Sequence, residues 1–262
     1  MDIYTGNKIY DYIREKDLRN YYYSSLNDWA LIYGDKNSMP KLMLFLSKVE
    51  NPESRVDGEE RTRLRFVMSI SKFLKLPFIF IRYAEENPNV FVWEWDGEEN
   101  KNLQPRIEPW SSLTSVFLKY DLIEDGGVNK PVNQYVSNSY HQWQRSNLGN
   151  ITVSDLDLVK LDGNKIVEII ELKRSKIPLH KWEPYKEDFA NFKLIRNTII
   201  LSNNIISFKL FYTHFSENEG FDRKENIDNI KVFKFNCDNQ LIGNDDCTYC
   251  LIGNKNIEEL IN

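Results

Sequence analysis

Apolar and polar positions along this chain recur with two periods, and together these predict a succession of helices and strands. Aromatic and charged residues in 8–23 share a helix-like stretch; the strand-like run 29–33, a Gly34-Asp35 turn and the apolar run 41–46 follow. Residues 59–76 place Leu64, Val67, Met68, Ile70, Phe73 and Leu74 at helical spacing and stop at Pro77. Residues 78–83 and 90–95 read as strands, the second with alternating aromatics at Phe91, Trp93 and Trp95. The polar stretch 96–109 is expected to separate an N-terminal subdomain, 1–105, from a second unit, 106–262. Beyond it the pattern predicts helices over 111–120 and 132–145, the latter with a thin apolar face. A helix starting near Pro184 and strands over 206–215 and 230–235 complete the series. No repeat is evident residue by residue.

The most regular pattern lies between these. Residues 151–161 alternate apolar and polar, turn at Asp162-Gly163-Asn164, and return over 165–173, which is the signature of a β-hairpin. Residues two apart on a strand share a face, so Glu171 projects with Lys173, and Asp155 with Asp157. A three-residue turn sets Leu161 opposite Lys165 and Asp155 opposite Glu171, and all four side chains converge. A two-residue turn reverses that parity unless a bulge intervenes.

Composition narrows what such a cluster can serve. With 262 residues, 41% of them hydrophobic, the chain can bury a full core. No stretch nears the roughly 20 apolar residues of a membrane helix, and the opening Met1-Asp2-Ile3-Tyr4 lacks a signal-peptide layout. The expectation is a cytoplasmic protein with no membrane partner. Cys237, Cys247 and Cys250 are odd in number and fit a reducing compartment. His214 is the one candidate to complete a zinc site with them, and buried free thiols are the simpler reading. Net charge is −5, so a polyanion has to meet a local basic surface. Arg174, Lys176 and Lys181 follow the hairpin directly, and Lys186 extends the cluster, as candidate nucleic-acid contacts.

Carboxylates on neighbouring strands repel unless a cation lies between them. Hard oxygen ligands of this kind suit magnesium, with manganese as a substitute. Such an ion polarises a phosphodiester and lowers the pKa of a water, while Lys173 is placed to hold that water or to stabilise charge on phosphate oxygens.

At this point the pattern Ser154-Asp155 or Leu156-Asp157, then the hairpin, then Glu171-Leu172-Lys173, resembles the PD-(D/E)xK nucleases. Serine stands where the family has proline. The resemblance covers roughly the last 130 residues and implies a restriction-endonuclease-like αβββαβ core, a mixed sheet flanked by helices, beside a smaller N-terminal α/β subdomain. It implies metal binding by Asp155, Asp157, Glu171 and the Leu172 backbone carbonyl, with catalysis by these acids and Lys173. Asp155 precedes Glu171 by sixteen residues and Asp157 by fourteen; both stay open, with Asp157 preferred. Some relatives add a ligand from the preceding helix, where His141 stands. DNA is preferred to RNA as substrate, with a restriction, defence or DNA-processing endonuclease as the leading role, and two-strand cleavage implies a homodimer. The alternative is a catalytically inactive nuclease fold that binds nucleic acid or a protein.

A fainter echo of the layout runs through Asp28-Trp29-Ala30, Leu46-Ser47-Lys48, the helix near 61–75 and the strand from Phe78, with Leu46 where the acid falls. The tyrosines 21–23 and the tryptophans of 92–95 read as core rather than as stacking platforms. A solvated outer face remains the plain reading of the hairpin's charges.

Overall fold

The computed structural model describes residues 7–25, 27–95, 104–123, 138–217, 223–237 and 248–261. In chain order the first half runs α1 (Lys8–Glu15), β1 (Tyr21–Tyr23), β2 (Asp28–Gly34), β3 (Pro40–Lys48), α2 (Gly58–Leu74), β4 (Phe78–Tyr83), β5 (Asn89–Trp95), β6 (Arg106–Pro109) and α3 (Thr114–Leu118). The second runs α4 (Ser139–Asn147), β7 (Thr152–Asp155), β8 (Leu158–Asp162), β9 (Lys165–Ser175), α5 (Phe189–Ser202), β10 (Ser207–Glu217), β11 (Arg223–Phe235), β12 (Tyr249–Lys255) and α6 (Ile257–Ile261). The protein is therefore α/β, and the same order of elements occurs twice.

Local chemistry sets the limits of the helices. Asp57 caps α2, its side chain accepting from the Glu60 N–H at 2.8 Å, and Glu59 and Glu60 meet the positive end of the helix dipole. The helix ends at Lys75, with φ of 58°, and α5 ends in the same left-handed cap at Asn203, with φ of 57°. Helices α1 and α4 both start from an asparagine cap, Asn7 and Asn138. Strands β2 and β4 are buried along their whole length and read as continuous apolar runs because both faces are covered.

Two six-stranded mixed sheets result, in the orders β1-β8-β9-β10-β11-β12 and β6-β5-β4-β3-β2-β7. In each, an antiparallel pair is followed by a helical crossover into a parallel strand: β2, β3, α2, β4 in one and β8, β9, α5, β10 in the other. The halves exchange edge strands. Strand β1 pairs with β8, and β7 pairs with β2. The expected division at residue 105 is thus crossed in both directions, and β6 lies in the stretch read as a boundary. A shared core holds Ile32, Phe45 and Phe80 of one sheet against Ile169, Phe208 and Leu210 of the other, with α2 and α5 contributing Val67, Ile70, Phe192 and Ile195.

The predicted hairpin needs correction. Its first strand breaks at Leu156-Asp157, so that β7 belongs to one sheet and β8 to the other. Its turn has two residues, Gly163 and Asn164, because Asp162 pairs with Lys165; Gly163 takes a φ of 57°. A bulge beside Leu161, with Val167 as the extra residue, restores the parity: Lys160 faces Glu168 and Leu158 faces Ile170. Asp157 then comes beside Glu171, whereas the three-residue turn had put Asp155 there.

Other boundaries also shift. The helix expected over 8–23 stops at Glu15, Asp17 turns at φ of 50°, and the three tyrosines form β1 with Tyr21 and Tyr22 buried. Of the helix expected over 132–145, the described part begins at Ser139, and 132–137 lie outside the described residues. The helix expected near Pro184 starts at Phe189 after one 3₁₀ turn, Lys186–Asp188.

Gly34 marks where the halves press together: a Cβ there would lie 2.5 Å from Leu194 Cδ1 of α5 and 2.9 Å from the Met39 carbonyl oxygen. Gly34→Ala is expected to lower the unfolding free energy by about 1–3 kcal/mol. An unchanged urea midpoint would show that this contact yields freely.

Candidate active site

Leaving one sheet for the other, the chain between Asp155 and Leu158 brings its acids to the open end of β9. Leu156 is buried, its N–H donating to the Ala30 carbonyl at 2.8 Å. Strand β8 begins only at Leu158, so the Leu172 N–H has no strand partner on that side; it donates to Asp157 Oδ2 at 2.7 Å. The Asp157 carbonyl accepts from the Tyr10 hydroxyl of α1 at 2.8 Å. Glu171 is 3% exposed, with Oε1 2.8 Å from Lys173 Nζ, and its buried Oε2 has no hydrogen-bond partner among the described residues. The Lys173 ammonium also lies 3.6 Å from Asp188 Oδ2 and over the Phe192 ring. A cavity of about 230 Å³ opens here, lined by Asp155, Asp157, Glu171, Lys173, Tyr10 and Glu225.

The electrostatics follow from burial and crowding of like charge. Burial pushes the Asp157 carboxyl well above its usual range, and the Glu171 and Asp155 charges push it further; Lys173 and the Leu172 N–H oppose them. Burial also raises Glu171, with Lys173 opposing and Asp155 adding to the rise. Burial works against the Lys173 ammonium, but Glu171, Asp188 and Asp157 outweigh it and hold the lysine protonated. The chain has therefore placed two costly carboxylates side by side, one with an unsatisfied oxygen, and balanced them with a lysine that belongs to the same strand.

This donor set fits a hard divalent cation in kind: carboxylate oxygens, with Leu172 also lining the cavity. It is not a finished cage. Among the described residues, no group of three or more His, Cys, Asp or Glu side chains is drawn together closely enough to hold a metal ion.

The remaining predicted residues divide. His141 is not among the residues lining the cavity. Because β7 joins the N-terminal sheet, α4 follows it there, and the imidazole meets Trp29 edge-on at 5.8 Å. Burial lowers its pKa, while the nearby Asp155 charge opposes that. The helix beside the cavity is α1 instead. Arg174 lines the cavity but faces Glu225 at 3.7 Å, and Lys176, Lys181 and Lys186 are exposed on the segment leading to α5. Among the described residues Cys237 and Cys250 form no disulfide, and Cys247 lies outside them.

Tyr10, Asp188 and Glu225 were not anticipated. Glu225 anchors the start of α1, accepting from the Lys8 N–H at 3.0 Å and from the Thr213 hydroxyl. Nothing local marks Tyr10 or Glu225, which lie far from the hairpin in sequence. Asp188 stands just before the helix that follows the hairpin, a position that spacing can flag.

No family model matches the sequence, and no curated protein matches it. Among solved structures, the C-terminal domain of the sex pheromone staph-cAM373 precursor from Staphylococcus aureus aligns with 86% of this chain and 70% of its own, at 9% identity and a TM-score of 0.16. That likeness is too low to carry an argument about fold or function. Among the described residues, no helix is long and apolar enough to cross a membrane.

The raised carboxyls make a stability prediction. A carboxyl whose pKa is higher in the folded chain than in the unfolded one favours folding below the ordinary value of 3.8, and that contribution is lost as pH rises through the raised value. Without metal the protein is expected to lose stability as pH rises from about 4 through the raised values of these carboxyls. Asp157→Asn removes the repulsion while keeping an acceptor for the Leu172 N–H, and should gain on the order of 1–2 kcal/mol at neutral pH. Urea midpoints at about pH 5 and about pH 7.5 test this; a variant less stable than wild type at both would sink it.

Proposed function

We propose that this chain is a magnesium-dependent nuclease that hydrolyses phosphodiester bonds at the cluster of Asp155, Asp157, Glu171 and Lys173, with DNA as the preferred substrate. The observation that carries the reading is the pairing of half-buried Asp157 with buried Glu171 beside Lys173, the Glu171 Oε2 atom having no hydrogen-bond partner among the described residues. Burying a carboxylate oxygen with no partner among the described residues costs stability, and at a residue that lines the cavity a bound cation would offset that cost. The sheet order β1-β8-β9-β10, with α5 crossing between the parallel strands β9 and β10, supports the restriction-endonuclease-like core that the motif implies, α1 and β1 taking the places that the order of the chain would give to α4 and β7.

Asp157, Glu171 and Asp155 would hold the ion together with the Leu172 carbonyl. Magnesium, or manganese in its place, supplies positive charge that polarises the phosphodiester and makes water more acidic. Lys173 donates hydrogen bonds to the attacking water or to the charge that builds on the phosphate oxygens. In the overall reaction the water oxygen forms a new bond to phosphorus and one ester P–O bond breaks. One proton ends on the leaving alkoxide and the other passes to solvent. The exposed Lys176, Lys181 and Lys186 meet the backbone phosphates beside the cavity, giving a chain of net charge −5 a local basic surface. The resemblance to PD-(D/E)xK nucleases is what supports a role in restriction, defence or DNA processing.

The absence of a finished cage among the described residues favours one second reading, a nuclease fold retired from catalysis that binds nucleic acid. Cleavage of plasmid DNA and of RNA in magnesium, manganese or EDTA separates the two. Glu171→Gln and Lys173→Ala are each expected to slow metal-dependent cleavage about 10²-fold or more; binding without cleavage in any metal would support the retired fold. Replacing Lys176, Lys181 and Lys186 together by Ala should lower the slope of log affinity against log salt by roughly 2 to 3. An unchanged slope would remove those lysines from the interface.

A further inference from the structure

The two halves are related position by position, and the relation reaches the candidate site. Three independent markers align them: the asparagine caps of α1 and α4, the left-handed caps Lys75 and Asn203, and the shared strand order. Seven residues beyond the left-handed caps stand Arg82 on β4 and Leu210 on β10. Leu210 pairs with Glu171, and Arg82 pairs with Ser47. Ser47 in turn pairs with Asp28, as Glu171 lies beside Asp157. Fifteen residues before the same caps stand Glu60 and Asp188. The counterpart of Glu171 is therefore Ser47 and not Leu46, whose side chain faces the other layer with Ile79 and Ile81. Two residues further, Val49 occupies the place of Lys173.

The first half thus keeps an aspartate but has lost both the glutamate and the lysine, and its own cations fill the centre. Arg82 Nε donates to Glu60 Oε1 at 2.8 Å, Ser47 Oγ donates to the same oxygen at 2.7 Å, and Arg82 also donates to the Pro52 and Ser54 carbonyls. Arg63 Nε donates to Asp28 at 2.8 Å, and Arg63 bonds the Tyr23 carbonyl as well. Where Glu171 leaves an oxygen unsatisfied, these carboxylates are held by guanidinium groups that no divalent cation displaces cheaply.

We propose that the chain is an internal pseudo-dimer of two nuclease lobes, one armed and one closed by arginine, so that it cuts one strand of a duplex at each encounter. This rests on the reading of the Asp157–Glu171–Lys173 cluster as a nuclease centre. The reciprocal exchange of β1 and β7 relates the lobes as an isologous dimer relates its subunits. Cutting both strands in one encounter would take a working centre in each lobe, and only one lobe carries the acid pair and lysine.

Supercoiled plasmid with magnesium tests this on the full chain, its mass in solution followed by light scattering. Open circles are expected to accumulate first, with linear DNA appearing only after a lag as separate nicks coincide. Ser47→Ala should leave the nicking rate within about twofold and the product order unchanged, while Glu171→Gln abolishes both products. Linear DNA formed directly from the supercoiled form would overturn the single-centre proposal and leave the nuclease reading standing. So would a Ser47→Ala protein of wild-type circular dichroism that has lost tenfold or more of its nicking rate. No cleavage of plasmid DNA in any metal would overturn the DNA nuclease reading, and the proposal with it.

Discussion

The reciprocal exchange of edge strands is the constraint on which the rest depends. Strand β1 leaves its own half to pair with β8, and β7 leaves its half to pair with β2. Both give up nearby partners for distant ones, a topology that closes long loops before any contact rewards them. What offsets this is burial on both sides of each crossing. Tyr22 and Leu156 lie in the core shared by the two sheets, and the backbone at Leu156 is tied to Ala30. Because each lobe completes the other's sheet, neither lobe has a complete fold of its own.

The same crossing creates the candidate site. A continuous hairpin would have paired the Leu172 N–H with another strand and left Asp157 to solvent. Breaking at Leu156 turns Asp157 back on β9, where it accepts that N–H and lies beside Glu171 under the cover of Tyr10. The cost is electrostatic, two carboxyls raised by burial and by neighbouring carboxylates, Glu171 and Asp155 acting on Asp157 and Asp155 on Glu171, and the lysine two residues along the strand offsets only part of it. Stability given up in this way is the ordinary condition of a site arranged for chemistry. In the other lobe the corresponding position has been settled for stability, with Arg82 and Arg63 closing on Glu60 and Asp28.

Much of this was legible in the residues themselves, and the reason is locality. The strands at Phe78–Tyr83 and Asn89–Trp95 and the helix Gly58–Leu74 are written in side-chain period and capping, which involve only near neighbours. Glu171 and Lys173 fall on one face of a strand wherever that strand is placed. The α/β class follows from such elements, and so does the set of acids with the lysine. The echo of the layout in the first half was visible too, though one residue out of register, because periodicity alone does not say which face of β3 meets α2.

Partnership was not legible, because it depends on contacts far apart in the chain. Residues 151–161 carry one uninterrupted alternating pattern, yet the backbone divides at Leu156 between two sheets, a choice made by the edges available in the folded molecule. The polar stretch around 106–109 reads as a linker, yet it pairs with β5 once that strand presents an open edge. His141 precedes the hairpin in sequence, but tertiary packing carries it to the other sheet and puts Tyr10, from the opposite end of the chain, beside Asp157. Sequence by itself determined the set of acids with the lysine and most of the elements that hold them, since those follow from local geometry. Only the tertiary structure decided that there are two lobes, that they exchange strands, and that one of them carries the open carboxylate pair, since each is a matter of long-range packing.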